Sequence, residues 1–306
     1  MSSQPDAPLT PPAAGAAEPT PKRAPEDYRS RIKPVWCPGC GNYGVLTALM
    51  RALANLDIDP DQLALVSGIG CSSRLPGFVK SYAFHGVHGR ALPVGLGVKL
   101  GNPRLTTVVV GGDGDGLSIG AGHFPHVARR NIDITYLLLD NRIYGLTKGQ
   151  TSPTTPSGKP TKTAPEGVIE MPMNPVHLAI AYGATYVARS NSVKLQETQQ
   201  RIEEAIRHRG FSLLQIMSRC VTFGKGYGFE EFDQTMQPIP QDHDVKDVHR
   251  ALALVDDPET IYTGVFYHGQ RPEFAESLQA MGAARGRELD ESGPQIDIQR
   301  LIGRFS

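Results

Sequence analysis

The four cysteines of this 306-residue chain are the residues best able to do chemistry. They are Cys37 and Cys40 in a Cys-Pro-Gly-Cys run, Cys71 in a glycine-rich segment, and Cys220 far downstream. Four thiolates are the ligand set of an iron–sulfur cluster or of structural zinc. A redox dithiol pair would leave Cys71 and Cys220 unexplained, whereas thiols that are simply buried need no ligand at all. The cysteines alone leave iron, zinc and buried thiols open.

A second group of polar residues follows two neighbouring strands. Asp113 lies in Gly112-Asp-Gly-Asp-Gly116 directly after an apolar run at residues 106–110, and Asn141 follows the next run at 132–139. Neither the dinucleotide fingerprint nor the P-loop fits this glycine pattern. Right-handed crossovers bring both strand ends to one edge of a parallel sheet. The pair therefore favours a magnesium–diphosphate site over a plain turn and a strand cap.

The elements around these residues alternate between strands and helices. Residues 43–56 have helical apolar spacing, 63–66 form a short strand, and a helix is expected over residues 117–130, with its amino end offered to a phosphate. Further strands are predicted at 185–188 and 212–217. Continuous apolar strands of this kind indicate an α/β fold, with a mostly parallel sheet and helices on both faces.

Three parts of the chain differ in texture. Residues 1–30 are rich in Pro, Ala, Ser and Thr and are predicted to be a disordered tail. Residues 31–225 are predicted to form the α/β domain, in which the proline-rich stretch 150–175 is a long functional or disordered loop. Residues 226–306 are predicted to be an appendage, with helices at 245–254 and 273–281, that packs on the core or on a partner.

Composition excludes several classes of protein. The 31 basic and 31 acidic residues balance, and no charge block indicates nucleic acid or an anionic membrane. No apolar run reaches the roughly 18 residues that span a bilayer, and no secretory signal is evident. A cytoplasmic location is expected, where free thiols favour metal binding or catalysis over disulfides.

Four sequence blocks, in order, resemble the β subunit of 2-oxoacid:ferredoxin oxidoreductases across about residues 32–225. The blocks are WCPGCG at 36–41, GIGCS at 68–72, HGRALP at 88–93 and NRIYGLTKGQ at 141–150, together with the spacing of Asp113 and Asn141. The resemblance implies a thiamine diphosphate-binding fold. It also implies thiamine diphosphate, Mg²⁺ and one [4Fe–4S] cluster as cofactors.

Carried over position by position, the resemblance assigns the site residues in three sets. The magnesium ligands are Asp113, Asn141 and the carbonyl of Ile143. The cluster ligands are Cys37, Cys40, Cys71 and Cys220. The thiamine diphosphate contacts are Ile69, Gly70, Cys71, Ser72, His88, Gly114, Asp115, Gly145 and Leu146.

The implied reaction is the coenzyme A-dependent oxidative decarboxylation of a 2-oxoacid, with electrons passing through the cluster to ferredoxin. The family's acid–base glutamate belongs to the α subunit, so this chain is expected to be inactive alone and to lack a catalytic residue of its own. Arg74 and Lys148 are candidate substrate residues, because a cation could pair with a distal carboxylate. Lysine at position 148 is typical of members that accept 2-oxoglutarate, so this substrate is favoured over pyruvate or a broad specificity.

Two other classes remain as alternatives. A non-redox thiamine diphosphate-dependent decarboxylase would use its cysteines structurally, but would have no need for Cys71 beside the cofactor loop. A zinc-binding interaction subunit without catalysis would leave Asp113 and Asn141 without a purpose.

Overall fold

A computed structural model describes residues 22–224 and 236–284 of the chain. Its ten strands are β1 (Leu63–Ser67), β2 (Tyr82–His85), β3 (Thr106–Gly112), β4 (Ile134–Asp140), β5 (Ile143–Tyr144), β6 (Gln150–Thr151), β7 (Tyr186–Asn191), β8 (Phe211–Met217), β9 (Met236–Pro238) and β10 (Ile261–His268). Its eight α-helices are α1 (Asn42–Asn55), α2 (Ala91–Gly101), α3 (Asp113–Leu117), α4 (Phe124–Arg130), α5 (Pro175–Ala181), α6 (Leu195–Arg207), α7 (Val248–Val255) and α8 (Phe274–Ala284). Both counts refer to the described residues.

Eight of these strands form one sheet in the order β2-β1-β3-β4-β8-β7-β10-β9, while β5 and β6 form a small antiparallel hairpin. Six neighbouring strands of this sheet, β2, β1, β3, β4, β8 and β7, are parallel to one another, and β10 runs antiparallel to β7. The central strands β4 and β8 are buried along their whole length, because helices cover both faces. The predicted α/β fold with a mostly parallel sheet is confirmed.

The two faces of the sheet have separate hydrophobic cores. One face packs Leu137 and Leu139 of β4 against α1 and α6, which contribute Leu49 and Ile202. The other face packs the alternate side chains of β4, such as Leu138, against α4, α5 and α7. This alternation follows from the pleat of a strand, which points successive side chains to opposite faces.

Several boundaries differ from the sequence predictions. The helix expected over 117–130 is wrong, since α3 begins at Asp113 and ends at Leu117, and α4 begins only at Phe124. The sequence does not predict the edge strand β2, because its four residues are exposed and lack a buried pattern. None of the helices within 22–224 and 236–284 is long and apolar enough to cross a membrane.

The two ends of the chain also differ from the predicted division. Pro25–Tyr28 forms a 3-10 helix with Tyr28 fully buried, so the predicted tail boundary at residue 30 lies too late. Residues 1–21 of that tail lie outside the described residues. In the predicted appendage, β10 extends the main sheet and α7 and α8 follow the predicted helices closely.

Candidate functional site

The carboxyl ends of β3 and β4 bring the two predicted metal-binding residues together. Gly112 and Leu139 are paired across the sheet, so Asp113 and Asn141 each follow a neighbouring strand end. The backbone N–H of Asn141 lies 3.4 Å from Oδ1 of Asp113. The two side chains therefore share one crevice, as the crossover rule predicts.

Asp113 is a buried carboxylate with hydroxyl donors on one oxygen. Ser152 and Thr154, from the long loop after β6, donate to Oδ2 over 2.6 and 2.9 Å. Burial first, and the nearby charge of Asp140 second, raise the pKa of Asp113 to about 7. A bound divalent cation would oppose both effects, so this carboxylate is chemically suited to a metal.

Asn141 and Ile143 complete a set of oxygen donors near Asp113. Asn141 Oδ1 accepts a bond from the Ile143 N–H at 3.0 Å, which fixes the amide beside the first strand of the β5–β6 hairpin. Tyr144 of the same hairpin donates to the Gly114 carbonyl at 2.6 Å. A carboxylate, an amide oxygen and a carbonyl are the hard oxygen ligands that magnesium prefers.

Asp115 holds the glycine-rich loop and His88 in place. Its Oδ1 accepts from the N–H of Ile69 and of Gly89 and lies 3.0 Å from Nδ1 of His88. Within the described residues its Oδ2 is buried without a hydrogen-bond partner, and a methyl group on Gly68 would collide with it. The aspartate therefore holds the loop and fixes the His88 ring, which meets the Tyr144 ring edge-on with the centroids 6.1 Å apart.

Glycines let three segments approach closely around the crevice. A methyl group on Gly112 would lie 2.9 Å from Ser72 Oγ, and one on Gly114 would lie 2.5 Å from the Tyr144 ring. Gly70 has a φ of +91° and open space above it, which leaves room for a ligand. These close approaches form a shallow cradle between the Ile69–Ser72 loop and α3.

The thiols of Cys71 and Cys220 lie at the end of this cradle. A methyl group on Gly145 would lie 3.3 Å from Cys220 Sγ, 3.7 Å from Asn141 Nδ2 and 4.0 Å from Cys71 Sγ. The Gly145 position thus separates the predicted metal ligand from two of the predicted cluster ligands. The lack of a side chain there allows the two groups to come close.

One backbone and one side-chain hydrogen bond hold the Cys-Pro-Gly-Cys loop close to Cys220. The Gly41 N–H donates to the Arg219 carbonyl at 3.2 Å, and Ser218 Oγ donates to Asn42 Oδ1 at 2.7 Å. The Phe223 N–H points at Cys220 Sγ at 3.4 Å, a contact typical of metal-bound thiolates. All four cysteines are free thiols, and the other three lie near enough to Cys40 for their charges to act on it. Among the described residues, however, no three Cys, His, Asp or Glu side chains lie close enough together to hold a single metal ion.

The thiols differ in exposure, and burial disfavours their charged form. Burial, followed by the other three thiols, raises the pKa of Cys40 to about 11, opposed by the N–H of Asn42. Burial also raises the pKa of Cys71, again with thiol neighbours, while the charge of Arg74 opposes the rise. Cys37 is exposed. A cationic metal centre would supply the charge that these half-buried thiolates lack.

The single tryptophan of the chain supports the thiol region. Trp36 is 7% exposed and donates from Nε1 to the Cys71 carbonyl at 2.7 Å. Its ring meets the rings of Tyr43 and Phe78 edge-on, with centroids 5.3 and 4.8 Å apart. These contacts link the segment before Cys37 to the loop that carries Cys71.

The two predicted substrate cations lie on the rim. Arg74 is exposed on the 3-10 helix Ser72–Phe78, close enough for its charge to act on Cys71. Lys148 is exposed in the turn after Leu146 and has a φ of +80°, an unusual conformation for a residue with a side chain. Backbone strain of this kind is common at functional positions.

Sequence reasoning does not identify the polar side chains that surround Asp113. Ser152 and Thr154 lie in the proline-rich loop that the sequence predicts to be functional or disordered, and nothing in their spacing marks them. Gln215 does carry a signal, because it interrupts the apolar run of β8. Asp140 is the last residue of β4, and Arg189 lies in the polar end of β7, so neither of them stands out in this way.

Comparisons with known proteins agree with this geometry. Residues 68–216 match the model of the thiamine pyrophosphate enzyme C-terminal TPP-binding domain. Residues 220–282 match the model of the C-terminal region of the pyruvate ferredoxin oxidoreductase beta chain. The two matches together span the cradle, Cys71 and Cys220.

Individual relatives are similar over most of their length. The chain is 42% identical to 2-oxoacid:ferredoxin oxidoreductase 2, subunit beta, of Aeropyrum pernix, over 83% of this chain and 86% of that protein. It is 38% identical to the 2-oxoglutarate synthase subunit KorB of Methanothermobacter marburgensis, over 88% and 93%. A solved 2-oxoglutarate:ferredoxin oxidoreductase from Magnetococcus marinus, with 2-oxoglutarate, coenzyme A and succinyl-CoA bound, matches with a TM-score of 0.86. That match has 42% identity and covers 94% of this chain and 97% of that one.

Proposed function

Because the chain belongs to the β subunits of the 2-oxoacid:ferredoxin oxidoreductases, we propose that it carries the thiamine diphosphate, magnesium and [4Fe–4S] sites of a cytoplasmic 2-oxoglutarate-oxidising enzyme. The resemblance seen in the sequence blocks is confirmed at the level of the family. The reaction proposed is the decarboxylation of 2-oxoglutarate to succinyl-CoA and carbon dioxide, with ferredoxin as electron acceptor. The observation that carries the proposal is that the thiols of Cys71 and Cys220 and the amide of Asn141 all lie within 4.0 Å of the position that a Gly145 side chain would take.

The diphosphate site is proposed at the carboxyl ends of β3 and β4. Asp113, Asn141 and the Ile143 carbonyl would hold magnesium, and the fit is supported by their all-oxygen chemistry and by the burial of the Asp113 carboxylate beside Asp140. Ile69 to Ser72, His88, Gly114, Asp115, Gly145 and Leu146 would line the cofactor. Asp115 would orient this lining from below, through Ile69, His88 and Gly89.

The cluster is proposed on Cys37, Cys40, Cys71 and Cys220. Two of these thiols, those of Cys71 and Cys220, lie beside the Gly145 position and therefore beside the proposed cofactor. A one-electron carrier has a use at that point, whereas a structural zinc ion has none, and this supports iron over zinc. When bound, thiamine diphosphate supplies the electron sink on which carbon dioxide leaves a 2-oxoacid, and the cluster carries electrons singly.

The exposure of the thiols supports a path for the electrons that runs from the cofactor through the cluster to the protein surface. Cys71 and Cys220 face the cradle, whereas Cys37 lies at the surface. A ferredoxin that docks near Cys37 would therefore meet the edge of the cluster remote from the cofactor. The α subunit is proposed to close the crevice from the other side and to supply the acid–base residue. In support, the carboxylate beside His88 is that of Asp115, which is buried and bonded to the loop.

The substrate proposal depends on Lys148 and Arg74. Both cations are exposed on the rim of the cradle, and the strained backbone at Lys148 supports a functional role for that side chain. Either ammonium or guanidinium could pair with the distal carboxylate of 2-oxoglutarate, a group that pyruvate lacks. Pyruvate or a broad range of 2-oxoacids is the runner-up.

Coexpression with the α subunit and purification without oxygen test the proposal directly. We expect a brown complex that contains about four irons per β subunit, no stoichiometric zinc, and ferredoxin reduction that requires both 2-oxoglutarate and coenzyme A. The variant Cys220→Ser should lose most of the iron and the visible absorption while the complex still assembles. Thr222→Ser, two residues away, serves as the matched control.

Two results would overturn the proposal. A colourless complex with stoichiometric zinc would remove the redox function and favour a structural role for the thiols. An iron-containing complex that decarboxylates without reducing ferredoxin would favour the non-redox decarboxylase.

A further inference from the structure

A row of buried polar groups crosses the sheet at its carboxyl end. Its members lie on consecutive strands of the sheet and follow the order of the strands: Asp113 after β3, Asp140 at the end of β4, Gln215 on β8, Arg189 on β7, and the Tyr262 carbonyl on β10. Each of the four side chains is at most 6% exposed. The side chains of β4, β8 and β7 lie on the sheet face that α5 and α7 cover.

Polar contacts of hydrogen-bond length connect the row without a gap, although the one hydroxyl hydrogen of Thr154 can serve only one of its two carboxylate neighbours at a time. Thr154 Oγ1 lies 2.9 Å from both Asp113 Oδ2 and Asp140 Oδ1. Gln215 Nε2 donates to Asp140 Oδ2 at 2.7 Å, and Arg189 Nε donates to Gln215 Oε1 at 2.7 Å. Arg189 can only donate, so it fixes the orientation of the Gln215 amide and directs the NH₂ group toward Asp140.

Both oxygens of Asp140 are therefore held. Oδ2 accepts from Gln215, while Oδ1 accepts from the Arg142 N–H at 3.0 Å and faces the Thr154 hydroxyl. The position of this carboxylate sets the position of Thr154. A buried, rigid neighbour of this kind can position a metal ligand without touching the metal.

The contacts on Asp113 are one-sided. Thr154 and Ser152 both bind Oδ2, whereas Oδ1 has only the Asn141 N–H at 3.4 Å among the described residues. Oδ1 is thus the oxygen with free lone pairs, and it is the one on the side of Asn141. Thr154, set by Asp140, turns Asp113 so that this oxygen faces the crevice.

The far end of the row is anchored in the C-terminal part of the chain. Arg189 Nη1 donates to the Tyr262 carbonyl at 3.1 Å, and its Cζ lies 5.1 Å from the centre of the Phe266 ring. Nη2 lies 3.3 Å from Oδ1 of Asn174, whose amide binds the Val255 carbonyl at 3.1 Å. The strand β10 and helix α7 thereby support a side-chain row that ends at the proposed metal site.

We propose that Asp140 is a positioning residue for the magnesium–diphosphate site, acting on Asp113 through Thr154 and held in turn by Gln215 and Arg189. The inference rests on the proposed function, because it concerns the magnesium of that same site. It also gives the C-terminal segment a role, because β10 and α7 hold the end of the row that lies farthest from the proposed metal site.

The test measures magnesium affinity on the assembled αβ complex with its cluster intact. The complex is freed of magnesium and thiamine diphosphate, and Mg²⁺ is then titrated by calorimetry at a fixed saturating concentration of thiamine diphosphate. We expect Asp140→Asn and Thr154→Val each to raise the Kd for Mg²⁺ by roughly 10- to 100-fold. Thr154→Ser keeps the hydroxyl and should stay within about twofold of the wild type.

Two further arms separate positioning from a general structural effect. The double variant Asp140→Asn/Thr154→Val should bind Mg²⁺ within about twofold of the weaker single variant, since both act through one hydroxyl. At saturating Mg²⁺ the kcat of Asp140→Asn should recover to that of the wild type. Thr135→Val is the matched control, because this buried β4 hydroxyl binds the Ala205 carbonyl, away from the site.

Three outcomes of these measurements would contradict the role assigned to Asp140. The assignment of Asp140 would be overturned if Asp140→Asn bound Mg²⁺ as tightly as the wild type. It would also be overturned if the increases in Kd for Mg²⁺ multiplied in the double variant, or if the kcat of Asp140→Asn did not recover at saturating Mg²⁺. If Asp140→Asn does not assemble, the contrast between Thr154→Val and Thr154→Ser decides whether the hydroxyl transmits the effect. A wild-type complex that binds no Mg²⁺ with thiamine diphosphate would instead contradict the proposed function itself.

Discussion

Both ends of the sheet bury polar clusters, but the two clusters differ in how completely they are paired. At the amino end, Asn131 is 1% exposed and both atoms of its amide are bonded. Oδ1 accepts from Thr185 and the Phe211 N–H, and Nδ2 donates to the carbonyls of Arg271 and Pro272. At the carboxyl end, Asp113 and Asp140 compete for the single hydroxyl hydrogen of Thr154, and Oδ2 of Asp115 has no partner among the described residues.

Charged groups show the same contrast. At the amino end, Asp133 pairs with Lys99 at 2.8 Å and with Arg209 at 3.1 Å, and Arg209 also pairs with Glu276. A cavity of about 670 Å³ lies there, yet its Arg271 is bonded to the carbonyls of Ala128 and Gly183. Polar groups buried for stability are thus satisfied internally, whereas those buried for a ligand keep unfilled hydrogen-bonding and charge capacity.

The largest expected effect comes from Asp113→Asn. Activity should fall by roughly three orders of magnitude, because the only carboxylate of the proposed metal set is lost. The cofactor-free protein should be as stable as the wild type or more stable, because a buried carboxylate next to Asp140 is removed. Ferredoxin reduction and urea unfolding measure the two quantities. A destabilised apoprotein would show that Asp113 contributes to stability and is not buried for a ligand alone.

Asn131 tests the opposite end. Asn131→Ala should lower the free energy of unfolding by about 2–4 kcal/mol, since it removes the bonds to the Thr185 hydroxyl, the Phe211 N–H and two carbonyls. Asn131 has a φ of +51°, so Asn131→Gly loses the same bonds without the backbone strain and should be about 1 kcal/mol more stable than the alanine variant. Urea midpoints compare the three proteins. A changed Mg²⁺ affinity in either variant would contradict the separation of the two ends.

His208 makes the amino end sensitive to acid. Burial, with a smaller effect of His268, lowers the pKa of His208 from 6.5 to about 4 against the opposing charge of Asp133. The unfolded chain therefore binds a proton between pH 6.5 and 4 that the folded chain does not, and stability falls as the pH drops through this window. The slope should reach up to about 1.4 kcal/mol per pH unit.

The control for this pH effect is His208→Gln, which can still donate to Thr185 but does not titrate. The difference in the free energy of unfolding between the wild type and His208→Gln should be constant above about pH 7 and shrink below about pH 6.5. Parallel curves for both proteins throughout the acid range would show that another group governs the response.

The smallest expected effect concerns Lys148 on the rim of the carboxyl end. Lys148→Gly and Lys148→Ala should both raise the KM for 2-oxoglutarate about tenfold, with little effect on pyruvate, because each removes the proposed carboxylate partner. Only the glycine variant relieves the positive φ, so it should be about 1 kcal/mol more stable than the alanine variant. An unchanged ratio of the two substrates would remove Lys148 from the specificity proposal.

The parts of the site that sequence could predict are those fixed by chain topology. Asp113 and Asn141 come directly after adjacent parallel strands. Because crossovers between such strands are right-handed, both residues lie at the same edge of the sheet. The apolar runs of β3, β4 and β8 likewise predict the centre of the sheet. The proximity of Cys220 to the Cys-Pro-Gly-Cys loop and to Cys71 depends on tertiary contacts, so only the family resemblance indicates it.

The parts that sequence could not predict depend on long-range packing. Ser152 and Thr154 reach Asp113 from a loop whose path is set by contacts with the rest of the molecule. The strand β10 joins the sheet beside β7 with a register shift between Val265 and Tyr267, which no local pattern reveals. Its burial pattern is irregular, since it lies near the sheet edge.

Trp36 gives the molecule an internal optical reporter. It is the only tryptophan in the chain, it is shielded from water, and its indole N–H is bonded to the carbonyl of a proposed cluster ligand. A bound iron–sulfur cluster absorbs light where tryptophan emits, so the holoprotein should be almost dark in fluorescence and should brighten as iron is lost. Cluster assembly and oxidative decay could then be followed in real time in this chain, provided that the tryptophans of the α subunit are replaced.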